Sequence, residues 1–436
     1  MSTVGHTRIH SWWDGRVLID ELKEYKDSRG MLCELWRTDD DTLPNSSMSY
    51  WSETDPYVLR GPHEHVDQRD AFVTWRSRML YILYDQQTKE SKTFITDPTK
   101  ITRVIVDPTV VHCYRNLEPN KSLTGNFPTS LFMGKDKTEK IDEIRHEEHL
   151  KEKKMYVILG ANGRLGKSMT KTFLDNIGFY EYEVVPIYHR ISNSVDITTM
   201  IDNIEKVKAL TSATDVTIIN CIGSTDVQNS TSKNSNLFWA NSDLPFLLGE
   251  YSGRRGFNLI HFSSDYVYQE VKPNITEKVS PYTESKKLYE EMLKEAITNG
   301  SKKHDHVRVL RVANLFSSDT TDENNIFQKL NKSVKKFNEI KYDSKILTGA
   351  THVDVISEWV FENRDTISKN KMFTNLVSPD VYNIREILIK YFNDYAKRIE
   401  TSSIFVPWFN AFKHSDNVIE LKSSDKYIVD LITNIT

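Results

Sequence analysis

The chain has 436 residues, a formal net charge of −4, 38% hydrophobic and 27% charged residues, and three cysteines. This composition excludes a disordered chain, a disulfide-bonded miniprotein and general nucleic-acid binding, and no apolar run reaches the roughly 20 residues that span a membrane. We therefore expect a soluble cytoplasmic protein of two domains, because single cores rarely extend beyond about 250–300 residues.

The first part of the chain alternates short β-branched and aromatic runs with turn residues. The strand-like runs cover residues 31–37, 71–75, 79–84, 92–95 and 101–106. Many short strands at this spacing are typical of a β-sandwich or barrel. The pattern predicts an all-β domain over residues 1–145.

Three histidines stand out in this part. His63 and His65 alternate in the segment RGPHEH and should point the same way along a strand, while His112 lies near the end of a later strand. Neutral imidazoles can bind a metal ion, and one of them can act as a proton-abstracting base. Structural hydrogen bonding is the third interpretation, and the residues alone leave all three open.

Residues 135–154 are dominated by charge, with no apolar stripe wide enough for a core helix. His146 and His149 resemble metal ligands in their spacing. The segment HEEH lacks the i, i+4 histidine pair that places two imidazoles on one helix face, so an exposed charged helix is favoured. We predict a linker over residues 146–154.

From residue 155 onward, strand-like and helix-like segments alternate. The predicted strands are 155–159, 183–187, 216–219, 258–262 and 307–311, and the predicted helices include 164–176, 237–251 and 282–299. This alternation predicts an α/β Rossmann-type doubly wound parallel sheet over residues 155–436, with a small C-terminal substrate-binding part.

A glycine-rich loop follows the first of these strands and opens a helix. Glycines at this point allow a tight turn and a close approach of the backbone to pyrophosphate at the helix N-terminus. The predicted cofactor contacts in the loop are Gly160, Asn162, Gly163, Arg164, Leu165 and Gly166.

The end of the second predicted strand bears on the choice of cofactor. An NAD site would place a carboxylate there for the ribose hydroxyls, whereas this chain reads Tyr188-His189-Arg190. Arg190, helped by His189 or Arg164, can pair with a 2′-phosphate, which favours NADPH. The alternative is that Arg190 is an ordinary surface arginine.

Tyr282 and Lys286 lie one helical turn apart, so both side chains can face one cleft. The lysine cation and the positive charge of the cofactor should lower the pKa of the phenol and make Tyr282 a usable proton donor near neutral pH. Ser264, at the end of the strand 258–262, could hydrogen-bond the same carbonyl oxygen. The order of glycine loop, serine and Tyr-x-x-x-Lys favours a nicotinamide-dependent reductase.

These motifs, with INCIGSTDV around Asn220, FSSDYVY, PYTESK and THVDV, resemble the dTDP-4-dehydrorhamnose reductases. The resemblance implies that Ser264, Tyr282 and Lys286 are catalytic. It also implies that Asp265 and Tyr266 lie near the sugar, and that Asp196, Asn220 and Asn241 support the cofactor side or the local backbone. One departure is the sequence VANLF after Arg311, where that family usually carries a tryptophan, so sugar specificity could differ.

The upstream part resembles the dTDP-4-dehydrorhamnose 3,5-epimerases through DSRGMLCE, VLRGPHEH and VDPTVVHCY. That family consists of cupin jelly rolls that are typically metal-free and dimeric. The resemblance implies that His63 is the base, with His65 and His112 in the substrate site. It further implies that Arg29 and Glu34 contact nucleotide or sugar, and that Arg60 stabilises the enolate or a phosphate. Residues 122–133 contain no tyrosine where that family carries its acid, so we expect inversion at one centre, C3 rather than C5.

Together these features predict a bifunctional nucleotide-sugar 3-epimerase, or 3,5-epimerase, and NADPH-dependent 4-reductase. Its substrate would be a UDP- or dTDP-4-keto-6-deoxyhexose of the rhamnose or N-acetylrhamnosamine type, with no metal, no membrane partner and a homodimer through the cupin. The Lys-, Asn- and Ile-rich composition suits an AT-rich genome such as those of giant viruses, which use similar chemistry. The alternatives are a reductase with a binding-only cupin, a regulatory NADP-binding subunit, and a metal-dependent cupin.

Overall fold

A computed structural model describes most of the chain. The described residues are 5–40, 45–131, 143–225, 236–273, 275–276, 278–322, 325–336, 339–342, 347–392, 397–400 and 409–435. Met133 and the part of the predicted charged segment before residue 143 lie outside these ranges. The chain divides into two compact units: unit 1 comprises Met1–Met155, Leu174–His189 and Asp202–Thr214, and unit 2 comprises Tyr156–Phe173, Arg190–Ile201 and Asp215–Thr436.

The upstream strands form two main antiparallel sheets and one hairpin. They are β1 His6–Trp12, β2 Val17–Leu22, β3 Glu24–Asp27, β4 Gly30–Cys33, β5 Tyr50–Thr54, β6 Leu59–Glu64, β7 Asp70–Trp75, β8 Met79–Asp85, β9 Glu90–Ile95, β10 Ile101–Val106, β11 Val110–Asn116, β12 Ser122–Asn126 and β13 Ile144–Arg145. The sheets have the orders β1-β2-β10-β7-β12-β5 and β13-β6-β11-β8-β9, and β3 pairs with β4 alone. This arrangement confirms the predicted cupin-type β-sandwich.

The core of this sandwich lies between its two sheets. Strands β10 and β11 are buried along their whole length, and side chains from β2, β7 and β8 pack with them. The fully buried Arg115 on β11 forms an ion pair with Glu183, also within unit 1. Each charge of a buried ion pair needs the other, because removing one would leave the other buried without a compensating charge. It holds the strand that carries His112.

The downstream elements alternate between strands and helices. The strands are β14 Met155–Leu159, β15 Glu183–Ile187, β16 Val216–Asn220, β17 Asn258–Ser264, β18 Val307–Val312, β19 Leu315–Phe316, β20 Glu339–Tyr342, β21 Thr348–Gly349, β22 Thr351–His352, β23 Phe373–Val377, β24 Val381–Tyr382, β25 Lys397–Glu400 and β26 Val418–Glu420. The helices are α1 Arg164–Asp175, α2 Ser194–Thr211, α3 Asn236–Phe238, α4 Leu244–Arg254, α5 Pro281–Thr298, α6 Ile326–Lys336, α7 Val353–Glu362, α8 Ile384–Phe392, α9 Phe409–Lys413 and α10 Asp425–Ile435.

A seven-stranded sheet has the order β15-β14-β16-β17-β18-β23-β26, and its pairs from β16 to β26 are parallel. This confirms the predicted Rossmann-type fold. The ends of β14, β16 and β17 lead into the glycine loop, the Asn220 turn and the Ser264 turn. In parallel sheets the carboxyl ends of the strands line the ligand crevice. A separate apolar cluster near the C-terminus joins α6, α8 and α10.

Two local predictions differ from the structure. The predicted helix 237–251 is broken by a π-helical turn, Trp239–Asp243, before α4 begins. The segment around His146 is not an exposed helix: β13 pairs with β6, and only Glu147–Leu150 form a 3-10 turn. The reason is that His146 Nε2 lies 2.9 Å from the buried Glu64 carboxylate, which ties the segment to the sandwich. Among the described residues, no helix is both long and apolar enough to cross a bilayer.

Candidate active sites

The first candidate site is a histidine cluster in unit 1. Strands β6 and β11 are antiparallel, with His63 opposite His112. Gly61 makes this approach possible, because it has φ of +84° and a Cβ there would lie 2.6 Å from the carbonyl oxygen of His112. The Nε2 atoms of His63 and His112 are 3.1 Å apart, and the ring of His65 lies 5.3 Å from that of His63. The structure thus brings the three predicted histidines together.

A buried carboxylate, which the sequence analysis missed, completes the cluster. Asp70, at the start of β7, is 1% exposed, and its Oδ2 lies 3.1 Å from His65 Nε2 and 3.5 Å from His112 Nε2. Its Oδ1 accepts hydrogen bonds from Gln68 at 3.0 Å and Asn126 at 2.8 Å. We call His63, His65, Asp70 and His112 the histidine–aspartate cluster.

Burial sets the protonation of the cluster. Desolvation, aided by repulsion from His112 and His65, lowers the pKa of His63 to about 2. Burial alone would raise the pKa of Asp70, but hydrogen bonds from His112 and His65 hold it well below its usual range. His63 is therefore a neutral imidazole with a lone pair, able to accept a proton or bind a metal ion.

Tyr50 is a second residue that the sequence analysis missed. Its hydroxyl lies 2.9 Å from the amide nitrogen of Asn126, which also donates to Asp70. Tyr50 lies on β5 and Asn126 on the neighbouring β12. Burial raises the pKa of the phenol, so Tyr50 keeps its proton at neutral pH. It is a candidate acid in a site whose β12 carries no tyrosine.

Among the described residues, the other predicted sugar-binding residues contact side chains outside the histidine–aspartate cluster. Arg29 lies in the exposed turn of the β3–β4 hairpin and pairs with Asp27, and Glu34 pairs with Arg37 at 2.9 Å. Arg60 donates to Thr54 Oγ1 at 2.9 Å on β5. Their substrate contacts stay predictions.

The second candidate site, in unit 2, begins at the glycine loop. Gly160 has φ of +73°, and a Cβ at Gly166 would overlap the carbonyl oxygen of Gly160. The loop can therefore turn tightly and pack helix α1 against strand β14, while Asn162 and Gly163 remain exposed at the helix start. This exposed helix N-terminus fits a pyrophosphate group.

The catalytic trio predicted from sequence meets at the ends of β17 and α5. Ser264 Oγ donates to Asp265 Oδ1 at 3.0 Å, and Tyr282 is hydrogen-bonded to Ser264. The buried Lys286 donates from Nζ to the carbonyl oxygen of Phe262 at 3.1 Å. The ring of Tyr266 lies 5.6 Å from that of Tyr282. A carbonyl oxygen beside Ser264 and Tyr282 would meet two hydroxyl groups.

Burial dominates the pKa values of Tyr282 and Lys286, and the predicted lowering of the Tyr282 pKa by the lysine and the cofactor charge stays a prediction. Burial raises the pKa of Tyr282 to about 12, the hydrogen bond to Ser264 lowers it, and the Asp265 charge raises it. Burial also lowers the pKa of Lys286 to about 8, opposed by Glu290. Desolvation is the largest of the effects on the pKa of Tyr282. Tyr282 is protonated at neutral pH, the state that a proton donor needs.

The remaining predicted cofactor residues make internal contacts. Asn220 Oδ1 accepts from the backbone of Ile222 at 3.0 Å, and Asp196 accepts from the backbone of Ser192 at 2.7 Å near the start of α2. Asn241, in the π turn, accepts from the backbone N–H of Ser224 and donates to its carbonyl oxygen, both at 2.9 Å. Each of these contacts supports the local backbone.

The basic residues expected near a 2′-phosphate each contact another side chain in the structure. Arg164 donates to Asp322 at 2.5 Å, and the exposed Arg190 donates to Asn236 at 2.8 Å. His189 stacks on Tyr57, and both belong to unit 1. Arg190 is accessible to a ligand, and its phosphate contact stays a prediction.

Comparison with known proteins agrees with this second site. Residues 154–376 match the family model described as the RmlD substrate binding domain, which is half of the chain. The chain belongs to the RmlD substrate binding domain family. The RmlD region contains both the glycine loop and the Ser264, Tyr282 and Lys286 site.

Relatives fall into two groups. The chain is 30% identical over 130 residues to the probable low-salt glycan biosynthesis epimerase Agl13 of Haloferax volcanii, covering 28% of this chain and 83% of that protein. A dTDP-4-dehydrorhamnose reductase of Bacillus anthracis in complex with NADP covers 65% of this chain and 100% of its own, with 16% identity and a TM-score of 0.47. A dTDP-4-dehydrorhamnose 3,5-epimerase of Sulfolobus tokodaii covers 30% and 77%, with 18% identity and a TM-score of 0.27.

Proposed function

We propose that the chain is a bifunctional nucleotide-sugar 3-epimerase and NADPH-dependent 4-reductase. The substrate would be a UDP- or dTDP-4-keto-6-deoxyhexose, and the product a 6-deoxy-L-hexose nucleotide. The observation that carries the proposal is that one chain holds both a neutral histidine in a buried polar cluster and a Ser264–Tyr282–Lys286 site. Kinship with a sugar epimerase and with the RmlD family supports each half.

In the first step, His63 would remove the proton at C3. The adjacent 4-keto group makes that proton acidic, because the electron pair passes to the carbonyl oxygen as an enolate. His112, 3.1 Å from His63, is placed to share the proton. Return of a proton to the opposite face inverts C3, and Tyr50 is the candidate donor.

In the second step, the 4-keto group would be reduced. NADPH, when bound at the glycine loop, supplies the hydride to C4. Ser264 would orient the carbonyl, and Tyr282 would give its proton to O4. Lys286 would hold the site electropositive as the oxyanion develops. Reduction removes the acidity beside C4 and so makes the new stereochemistry permanent.

The buried ammonium of Lys286 predicts a loss of reductase activity at alkaline pH. Its pKa of about 8 means that the charged form is lost as pH rises through that value, so kcat/KM should fall about tenfold per pH unit above it. Lys286→Arg keeps its charge because a guanidinium stays protonated throughout this pH range, so kcat/KM of the variant should not fall above about pH 8. A pH profile of NADPH oxidation measures both. An unchanged fall in the arginine variant would assign it to another group.

The test of the proposed function is solvent exchange without NADPH. The protein is incubated in deuterated water with a UDP- or dTDP-4-keto-6-deoxyhexose, and the sugar is analysed by NMR and mass spectrometry. Deuterium at C3 alone is expected. Deuterium at C3 and C5 would extend the activity to 3,5-epimerisation, and Tyr50→Phe then tests whether Tyr50 replaces the absent tyrosine.

Two other results would contradict the proposal. No exchange, followed by NADPH oxidation once the cofactor is added, would reduce the upstream domain to a binding module. If the protein shows no exchange and no NADPH oxidation, a regulatory NADP-binding subunit is favoured.

The homodimer through the cupin and the 2′-phosphate contact of Arg190 are further parts of the proposal. Sedimentation tests the homodimer, and a comparison of NADPH with NADH tests the phosphate contact.

A further inference from the structure

We propose that the histidine–aspartate cluster binds a divalent first-row transition-metal ion, and that the bound ion switches off the epimerase by occupying the lone pair of His63. The metal site is argued from the cluster itself, whereas the inhibition of the epimerase rests on the proposed function. No metal is expected for the cupin from the sequence, because the epimerases that it resembles are typically metal-free, and Asp70 carries no local signal as a ligand.

The ligand atoms have the spacing of a coordination shell. All four side chains offer one nitrogen or oxygen atom within 4.8 Å of the others. The measured separations are 3.1 Å for His63–His112, 3.1 Å for His65–Asp70 and 3.5 Å for His112–Asp70. A tetrahedral zinc site with bonds of about 2.0–2.1 Å has ligand atoms about 3.3–3.4 Å apart. Three of the six separations are thus close to those of a tetrahedral site, and the other three lie within 4.8 Å.

The buried carboxylate of the cluster also favours binding of a cation. Asp70 Oδ2 is buried, and the nitrogen atoms His65 Nε2 and His112 Nε2 lie 3.1 Å and 3.5 Å from it. Among the described residues its ion-pair partners are His65 and His112, which carry charge only when protonated. Burying a carboxylate without a compensating charge is costly, and a metal ion removes that cost.

The orientation of His112 is that of a metal ligand. Its Nδ1 lies 3.0 Å from the carbonyl oxygen of Val110, which can accept a hydrogen bond from Nδ1–H, and its Nε2 faces His63 and Asp70. With a metal ion bound, Nδ1–H would donate to Val110 and Nε2 would offer its lone pair to the ion. Metal-binding histidines commonly use the second ring nitrogen in this way, which fixes the tautomer and the ring orientation. Three imidazoles and one carboxylate suit zinc, cobalt or nickel, whereas magnesium and calcium prefer oxygen ligands.

An ion in this site would compete with proton transfer. The lone pair of His63 cannot accept the C3 proton while it binds a metal, and Asp70 and His112 would be held by the same ion. Metal release would free the base. The epimerase would then be active in the metal-free chain and silent in the metal-bound one.

Titration of the full-length, chelator-treated protein with Zn²⁺ or Co²⁺ tests the site. We expect about one ion per chain to survive dialysis, and bound Co²⁺ to show the visible absorption of a tetrahedral complex. Asp70→Asn keeps both Oδ1 hydrogen bonds possible but removes the anionic ligand, and should weaken binding at least about tenfold. His65→Asn, directly after β6, should do the same by removing a different ligand.

A matched control comes from the other group of metal-capable side chains among the described residues, His146, Glu148 and His149. His149→Ala should leave the visible spectrum of the tightly bound Co²⁺ unchanged. Loss of the spectrum in this variant, or its persistence in both Asp70→Asn and His65→Asn, would overturn the proposed site. So would failure of the wild-type protein to retain either metal.

Deuterium exchange at C3 tests the switch separately. The exchange rate of the wild-type protein should fall in proportion to the metal-bound fraction and return when a chelator is added. Full exchange with the metal bound would overturn the competition. Absence of exchange in the metal-free protein would contradict the proposed epimerase, whereas the cobalt spectrum would still decide the metal site.

Discussion

Replacing Tyr282 with phenylalanine is expected to lower kcat for NADPH oxidation by about 10²–10⁴-fold, the range for loss of a positioned general acid. The hydroxyl of Tyr282 is the proton source for O4, and its hydrogen bond to Ser264 places it beside the serine that would orient the carbonyl. Deuterium incorporation at C3 without cofactor should be unaffected, because that step belongs to the histidine–aspartate cluster.

Tyr289→Phe is the control for this change. Tyr289 lies on the same helix, α5, is buried, and its hydroxyl makes no hydrogen bond among the described residues. Removing this hydroxyl should change the rate of NADPH oxidation by less than about twofold, because no hydrogen bond is lost with it. Near-normal reduction by Tyr282→Phe, or an equal loss in both variants, would remove Tyr282 from the proposed mechanism.

Replacing His63 with asparagine is expected to abolish exchange at C3, again with a loss of about 10²–10⁴-fold. Asparagine retains hydrogen-bonding capacity but cannot take up the proton. The measurement is made on chelator-treated protein, so that a change in metal content does not enter. NADPH oxidation with a 4-keto sugar already inverted at C3 should remain.

His10→Asn is the matched control, since His10 is exposed on β1 and stacks on Trp12. It should leave exchange at C3 unchanged. Equal exchange by wild type and His63→Asn would mean that another group is the base, with His112 as the first candidate because of its contact with His63.

The secondary structure was largely predictable because local sequence sets it. The runs 155–159 and 183–187 coincide with β14 and β15, since apolar segments bounded by turn residues form buried strands wherever they lie. The glycine loop and the Tyr282–Lys286 pair were predictable for the same reason: their chemistry depends on residues only a few positions apart. The π turn at Asn241 was not, because propensity alone favours a continuous helix there.

The sequence by itself determined the fold class, a β-sandwich part followed by an α/β part, and most of the strands and helices, and it predicted most of the candidate site residues. Only the tertiary structure decided which residues act together. Asp70 and Tyr50 carry no local signal, and they join the histidines because β7, β12 and β5 become neighbours in one sheet. Desolvation likewise depends on everything packed around a group, which is why the pKa of Tyr282 rises to about 12 although a lysine follows one turn later.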